Sequence, residues 1–353
     1  MKKTKKKIQL FSNDLGVDLG TSNVLICSDK QGVVIREPSV VAVDKNTGKI
    51  LQVGSAAKNM LGRTPGNVVA MHPLRDSVIS DHEMTVKMLQ VLFRAATKAS
   101  IFTPKPRIVL SVPSGITEVE ERTAINAALE AGARRVYLIE AALAAGLGAN
   151  LDLSGPNGHM VVDIGGGCTN VAVLSMNGVA RSSSVKVAGI AFDEAIGRYI
   201  RRQHGMIIGQ NDAEDVKIQI GSVYPRAEDV SMIIRGRDAK TGTPKEVTLL
   251  SSEIFEVLRR PARMIADEVM SVLEDTSPEL IADISKNGIT LTGGSAQLWG
   301  MDLMIQERTG IECRVADEPE YCTARGCGKS LAWINHMNEG PINIARKRAL
   351  KGE

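Results

Sequence analysis

Aromatic residues are scarce in this chain: five Phe, four Tyr and two Trp among 353 residues. The core must therefore be aliphatic. A basic stripe interleaved with stacking aromatics, the footprint of a nucleic-acid binder, is missing, which argues against that class of partner. Cysteine is nearly as sparse. Cys27, Cys168, Cys313, Cys322 and Cys327 are odd in number and lack paired spacing. This argues against a disulfide framework or a zinc site and fits a reducing compartment. No apolar run approaches the ~18 residues of a membrane-spanning helix. The basic N-terminus is followed by no apolar stretch of signal-peptide length, and no low-complexity linker divides the chain.

What is present is an ordinary globular composition, 43% hydrophobic and 24% charged, in a chain long enough for two domains. The net charge of +3 is unevenly placed. Lys2, Lys3, Lys5, Lys6 and Lys7 crowd the start; without these five, 38 of the 43 basic residues remain against 40 acidic ones. The basic character is a tail, and the body is close to neutral.

The most informative pattern is an internal echo. Residues 14–28 read DLGVDLGTSNVLICS and residues 160–175 read MVVDIGGGCTNVAVLS. Each is an apolar strand, an Asp, a Gly-rich turn and a second apolar strand. Two such units in one chain suggest a duplicated architecture. Further strands are expected at 33–36, 39–43, 107–112, 136–139, 179–187, 288–292 and 311–315. Thr117 and Glu120 form a capping box that opens a helix through Ala131, stopped by Gly132. Residues 83–99 and the set Phe192, Ile196, Tyr199 and Ile200 carry apolar stripes at helical spacing. A helical segment over 252–275 contains Pro261, which should kink or divide it. Strands alternating with helices give a mixed α/β class.

The two Gly-rich turns carry chemistry. In Asp18 to Asn23, Gly20 permits close backbone approach, and Thr21, Ser22 and Asn23 can face an anion. Gly165, Gly166, Gly167 and Cys168 repeat the device, and clustered N–H groups suit phosphate oxygens. Asp18 and Asp163 would repel phosphate but suit Mg²⁺, held in part through water. Other nucleotide motifs fail. GCGKS at 326–330 resembles the end of a P-loop, but the first glycine would fall at Thr323. No dinucleotide fingerprint follows an early strand. The segment LTGGSAQ, with Gly293, Gly294, Ser295, Ala296 and Gln297, would let backbone lie against a flat base or phosphate, or is an ordinary strand-to-helix turn. Glu214 and Lys217 share a helical face, as ligand contacts or as a surface ion pair.

Taken in order, the two Asp-Gly hairpins, the E-x-x-K helix and the LTGG loop resemble the actin, DnaK-type chaperone and sugar-kinase superfamily. FSNDLGVDLGTSN, EPSVVAV, KNMLGRTPGN, VISDHEMTVKMLQ, AFDEAI, LTGG and ARGCGKSL are similar to segments of its MreB family, over nearly the whole chain. The resemblance implies a duplicated RNase-H-like, actin-like two-domain α/β fold with ATP and Mg²⁺ in the interdomain cleft. Domain I would span 12–150, with a small insert at about 33–77 and a C-terminal helix at about 326–345 packing back on it. Domain II would span 151–325, with an insert at about 188–250. Residues 20–23 and 165–168 would flank the phosphates, Glu214 and Lys217 would meet ribose and adenine, and Gly293 to Gln297 would line the purine side. Filaments on the inner face of the membrane, acting with membrane shape and wall-synthesis proteins, are implied too. A chaperone would need a substrate-binding domain beyond Glu353. A small-molecule kinase would need a catalytic base in the first half, and none stands out.

The sequence departs from the family at one place of consequence. Where the pattern has Glu-Glu-Pro, this chain has Glu140-Ala141-Ala142, and where a Thr follows the third glycine it has Cys168. Both changes fall on the water that would attack the terminal phosphate, and a thiol hydrogen-bonds weakly. ATP binding is expected to survive, with hydrolysis slow or absent. Glu140 is the candidate substitute, though neighbours on an extended segment point to opposite sides. A paralogue that decorates other filaments without hydrolysis stays open. Membrane contact is expected from the tail, where Ile8, Leu10 and Phe11 follow the lysines. The loop from Lys98 to Arg107 resembles the membrane-inserting loop of the family and carries Ile101 and Phe102.

Overall fold

The computed structural model describes residues 14–28, 30–98, 104–334 and 340–341. The duplication read from sequence is visible as two sheets of one topology. In the first, Gly32–Pro38, Asn23–Ser28 and Leu15–Leu19 form an antiparallel meander, and Arg107–Val112 and Arg135–Glu140 add parallel strands beyond Leu15–Leu19. In the second, Gly178–Val185, Thr169–Ser175 and His159–Ile164 form the meander, and Ile289–Thr292 and Cys313–Val315 add the parallel strands. Gly340–Pro341 extends the far edge of the first sheet.

Small sheets sit in the connections. Val41–Asp44, Ile50–Val53 and Val68–Met71 form one within the first half, and Met206–Ile207, Ser231–Asp238 and Pro244–Leu250 form one within the second. Most of these strands were not apparent from sequence. Ser231–Asp238 and Pro244–Leu250 each bury one residue only, so no clean apolar alternation marks them. The expected strands at 33–36, 107–112, 136–139 and 179–187 appear within a residue or two of their bounds.

Local rules explain the helices. Thr117 and Glu120 complete their capping box, with Glu120 N–H donating to Thr117 Oγ1 at 3.3 Å and Thr117 N–H to Glu120 Oε2 at 2.9 Å. The stripe at 83–99 belongs to His82–Thr97, capped by Asp81. Pro261 does not divide its helix, which runs unbroken over Ser251–Glu274. Of the C-terminal segment expected as a helix at about 326–345, the described residues show a helix over Cys322–Ser330 and a strand at Gly340–Pro341; residues 335–339 and 342–345 lie outside the described residues.

Two short helices join the halves. Ala141–Gly148 leaves the first sheet and packs on His159–Ile164 and Thr169–Ser175 of the second; Cys322–Ser330 leaves the second half and packs on Leu15–Leu19 of the first. Where they cross, backbone meets backbone. A Cβ on Gly326 would overlap the Ala144 carbonyl, and one on Gly148 would overlap the Cys322 carbonyl. Around the crossing, Val109, Tyr137, Leu143, Val161, Leu174 and Cys327 form a continuous buried cluster shared by both halves.

This contact gives an opposite sign to one substitution made at two places. Gly to Ala inside a helix ordinarily stabilises by about 1 kcal/mol. Gly197→Ala, with open space around its Cβ, should follow that rule and raise the melting temperature. Gly326→Ala meets a main-chain carbonyl that cannot rotate away, and overpacking of ~1–3 kcal/mol or more outweighs the helix gain. Its melting temperature should fall; equal or higher stability would mean the crossing is looser than described.

Candidate functional site

Asp18 and Asp163 occupy the same place in equivalent strands, one residue before the end of Leu15–Leu19 and of His159–Ile164. The turn after each is closed by the same bond. Gly20 N–H donates to the Asn23 carbonyl and Gly165 N–H to the Cys168 carbonyl, both at 3.1 Å. The two turns face each other across the cleft floor. A Cβ on Gly166 would overlap the Ser22 side chain, and one on Gly167 would overlap that of Thr21. Glycine is required there for two loops to nest, beyond any need of a ligand.

The third glycine loop closes the same space. Gly293 has φ +84° and a Cβ there would overlap the Ile164 backbone, so side chains are excluded twice over. Ser295 Oγ donates to the Gly165 carbonyl at 2.7 Å, tying this loop to the second hairpin. The result is a cleft of about 650 Å³ between the halves, within the range of small-molecule sites.

Of the residues singled out from sequence, Asp18, Gly20, Thr21, Ser22, Asn23, Asp163, Gly165, Gly166, Cys168, Glu214, Lys217, Gly293, Gly294, Ser295, Gln297 and Ala141 line it. Gly167 packs behind Thr21, and Ala296 is buried. Glu214 and Lys217 do not pair with each other. Glu214 meets Lys58, which projects from the opposite half, at 2.6 Å; Lys217 stands 2.8 Å from Asp193 and donates to the Gly189 carbonyl at 3.2 Å. The basic tail, with Lys2, Lys3, Lys5, Lys6, Lys7, Ile8, Leu10 and Phe11, and the pair Ile101 and Phe102 lie outside the described residues.

At the expected water position the side chains are unhelpful for proton transfer. Ala141 presents only a methyl group. Glu140 is absent from the cleft wall, and its Oε2 accepts from Ser114 Oγ at 3.0 Å and from Ser182 Oγ at 3.2 Å. Burial pushes the Cys168 thiol up to about 11, so it stays neutral, and Sγ donates to Ser77 Oγ at 3.0 Å. Ser77 was missed by the sequence reading. It is the second residue of a two-residue hairpin turn in which Asp76 and Ser77 both have positive φ, the geometry of a type I′ turn, where Gly is the usual signal. Its N–H donates to Thr21 Oγ1 at 2.7 Å, linking this turn to the first glycine loop.

The electrostatics are dominated by the two aspartates. Burial raises Asp18 to about 6, offset in part by Ser111 Oγ donating to it at 2.7 Å. Burial and then repulsion from Asp18 raise Asp163 to about 7, with Thr292, Asn170 and Thr323 offsetting only part. Among the described residues all these partners are neutral, and no Lys or Arg pairs with either carboxylate. Two close carboxylates without a cation fit a divalent ion. No cluster of three or more His, Cys, Asp or Glu is found among the described residues, so the rest of its shell would come from water and ligand oxygens, the Mg²⁺ habit.

The sign of the pH effect follows. Carboxyls whose folded pKa is raised bind protons more readily folded than unfolded, so this pair favours the ligand-free fold at low pH. That contribution is lost as pH rises from about 4 through about 6 and 7. Asp163→Asn should therefore raise the melting temperature of the ligand-free, metal-free protein at pH 8 by ~2 °C or more. The gain should vanish near pH 5, where Asp163 is already neutral. A loss of stability at pH 8 would contradict the unpaired-charge reading.

Comparison with known proteins agrees with this geometry. The MreB/Mbl protein family profile matches residues 12–339. Cell shape-determining protein MreB of Escherichia coli (strain K12) is 48% identical over 342 residues, 96% of this chain and 98% of that protein. Cell shape-determining protein Mbl of Bacillus cereus is 45% identical over 328 residues, 93% of this chain and 98% of that one. The crystal structures of MreB5 of Spiroplasma citri bound to ADP and to AMPPNP each superpose with a TM-score of 0.85 at 38% identity, covering 91% of this chain and 96% of theirs. The MamK double helical filament shares the fold, with a TM-score of 0.75 at 22% identity over 90% of this chain and 98% of that one. With its two hairpins, shared cleft and full-length likeness, the chain belongs to the MreB/Mbl family of actin-like proteins.

Proposed function

We propose that this protein is an ATP- and Mg²⁺-binding cytoskeletal filament protein that directs cell shape and wall synthesis from the inner face of the membrane. The observation that carries the nucleotide reading is the convergence of two equivalent Asp-Gly hairpins, one from each half, on one cleft. Relatives of the same family are solved with ADP and with AMPPNP. The roles follow from chemistry. Residues 20–23 and 165–168 flank the phosphates; the Gly20 and Gly165 N–H groups close their turns, which leaves N–H groups of the residues that follow them to face phosphate oxygens. Asp18 and Asp163 hold Mg²⁺, which when bound neutralises charge on the phosphates. Glu214 and Lys217 meet the ribose and the base edge, and Glu214 must exchange its Lys58 partner to do so. Because Lys58 and Glu214 come from opposite halves, that exchange couples occupancy of the cleft to the approach of the halves, the property a nucleotide-controlled filament needs.

Hydrolysis is the step this chain is poorly equipped for. Ala141 offers no carboxylate to orient the attacking water or take its proton, Glu140 is engaged by Ser114 and Ser182, and Cys168 offers a neutral thiol. Loss of a positioned acid or base costs about 10²–10⁴-fold in rate. Phosphate release at polymerising concentration should be nearly silent in the native chain and should rise by ~10²-fold or more in Ala141→Glu, Cys168→Thr. A native rate equal to that of the variant would refute the assignment. Ala141 also favours a second reading, a non-hydrolysing paralogue that decorates other MreB filaments; copolymerisation without self-assembly would select it.

Membrane attachment is proposed through Lys2 to Phe11 and through Ile101 and Phe102. Each lysine near an anionic surface contributes on the order of 1 kcal/mol, and the apolar side chains add insertion. Deleting residues 2–11 and replacing Ile101 and Phe102 by Ser should abolish sedimentation with anionic liposomes, and unchanged sedimentation would rule this attachment out.

A further inference from the structure

The cleft has two chemically different ends. Around Asp18 and Asp163 it is polar. Beyond Lys217 it is lined by Ile218, Gly221, Leu298, Trp299 and Arg226. Ile218 is 69% exposed and Trp299 40% exposed, in a chain with only two tryptophans. An exposed indole is a large apolar surface left in water, and here it stands at the wall of a binding cleft.

Trp299 is also held still. Its carbonyl accepts from Val223 N–H at 2.9 Å, and it forms an isolated parallel bridge with Ser222. Gly300, next in the chain, has φ +81°, and a Cβ there would overlap Tyr224, so the turn that presents the indole requires glycine after it. The Arg226 guanidinium lies over the ring, 5.0 Å from its centroid, and is itself fixed by Nη2 donating to the Gly221 carbonyl at 2.9 Å. A cation over an indole face is a favourable pairing, and it orients the ring without covering all of it. A rigid, part-exposed aromatic beside two aliphatic side chains is the surface on which a flat heterocycle stacks.

We propose that Trp299, steadied by Arg226 and flanked by Ile218 and Leu298, is the stacking platform for the nucleotide base. This rests on the reading of the cleft as an ATP site and extends it to the base end, two residues beyond the loop from Gly293 to Gln297. Stacking on an aromatic strengthens binding by about tenfold or more per base and favours the larger purine ring.

The test uses the full chain carrying Trp333→Phe, which leaves Trp299 as the sole indole reporter; Trp333 packs in the cluster between the halves, away from the cleft wall. Binding of Mg-ATP, Mg-CTP and Mg-tripolyphosphate is followed by calorimetry and, in parallel, by tryptophan emission. Mg-ATP should change the emission of Trp299 with the same midpoint as the calorimetric signal. Tripolyphosphate should bind without changing it, and CTP should bind more weakly than ATP. Trp299→Ala should weaken ATP about tenfold while leaving tripolyphosphate unaltered, and Trp299→Phe should recover most of the loss. ATP binding with unchanged emission and unchanged affinity in Trp299→Ala would overturn the platform and leave the ATP site standing. Absence of calorimetric ATP binding to the native chain would overturn both.

Discussion

The crossing of Ala141–Gly148 over Cys322–Ser330 is the constraint on which the rest depends. Each helix leaves one half and packs on the sheet of the other, and they touch through Gly148 and Gly326, where backbone carbonyls occupy the space a side chain would take. With helices this close, the two sheets present the carboxyl ends of their first strands to a common space. The nesting of Gly166 on Ser22 and Gly167 on Thr21 is the local consequence. A side chain at either glycine would force the two backbones apart. Interiors this tightly packed have little room to absorb such a change.

The same juxtaposition creates the electrostatic problem that makes the cleft a site. Two aspartates brought together with only hydroxyl and amide partners are held above the usual carboxylate range. Once both are ionised, above about pH 7, such an arrangement costs stability unless something cationic relieves it. The polar end holds two carboxylates whose partners among the described residues are neutral, Lys58 meets Glu214 across the halves, and Ile218, Leu298 and Trp299 add an aliphatic and aromatic wall. On the proposed reading, Mg²⁺ and the phosphates take the carboxylate end, Glu214 and Lys217 meet the ribose and base edge, and the aromatic wall meets the base.

Much of this was legible in the sequence because it is local. A strand, an Asp, a Gly-rich turn and a strand sit within about fifteen residues, so both hairpins and the duplication could be read directly, as could the capping box at Thr117. The family resemblance extended that reading to Glu214, Lys217 and the loop at Gly293, and the structure brings them to one cleft. What could not be read depends on long-range placement. Lys58 meeting Glu214 joins residues 156 apart. Ser77 reaches Thr21 and Cys168 only because a Ser takes a left-handed turn position where Gly would have been the cue. Arg226 over Trp299 needs two separate turns to be folded.

The central claim is that the paired aspartates and their glycine hairpins form one metal-dependent ATP site shared by the two halves. Isothermal titration of the purified native chain with ATP, first with Mg²⁺ and then with Mg²⁺ removed by EDTA, tests it most directly. The account predicts one ATP bound per chain, with affinity falling by ~tenfold or more when the metal is removed, since phosphate must then face Asp18 and Asp163 unshielded. Binding that is unchanged without the metal, or no binding at all, would contradict it.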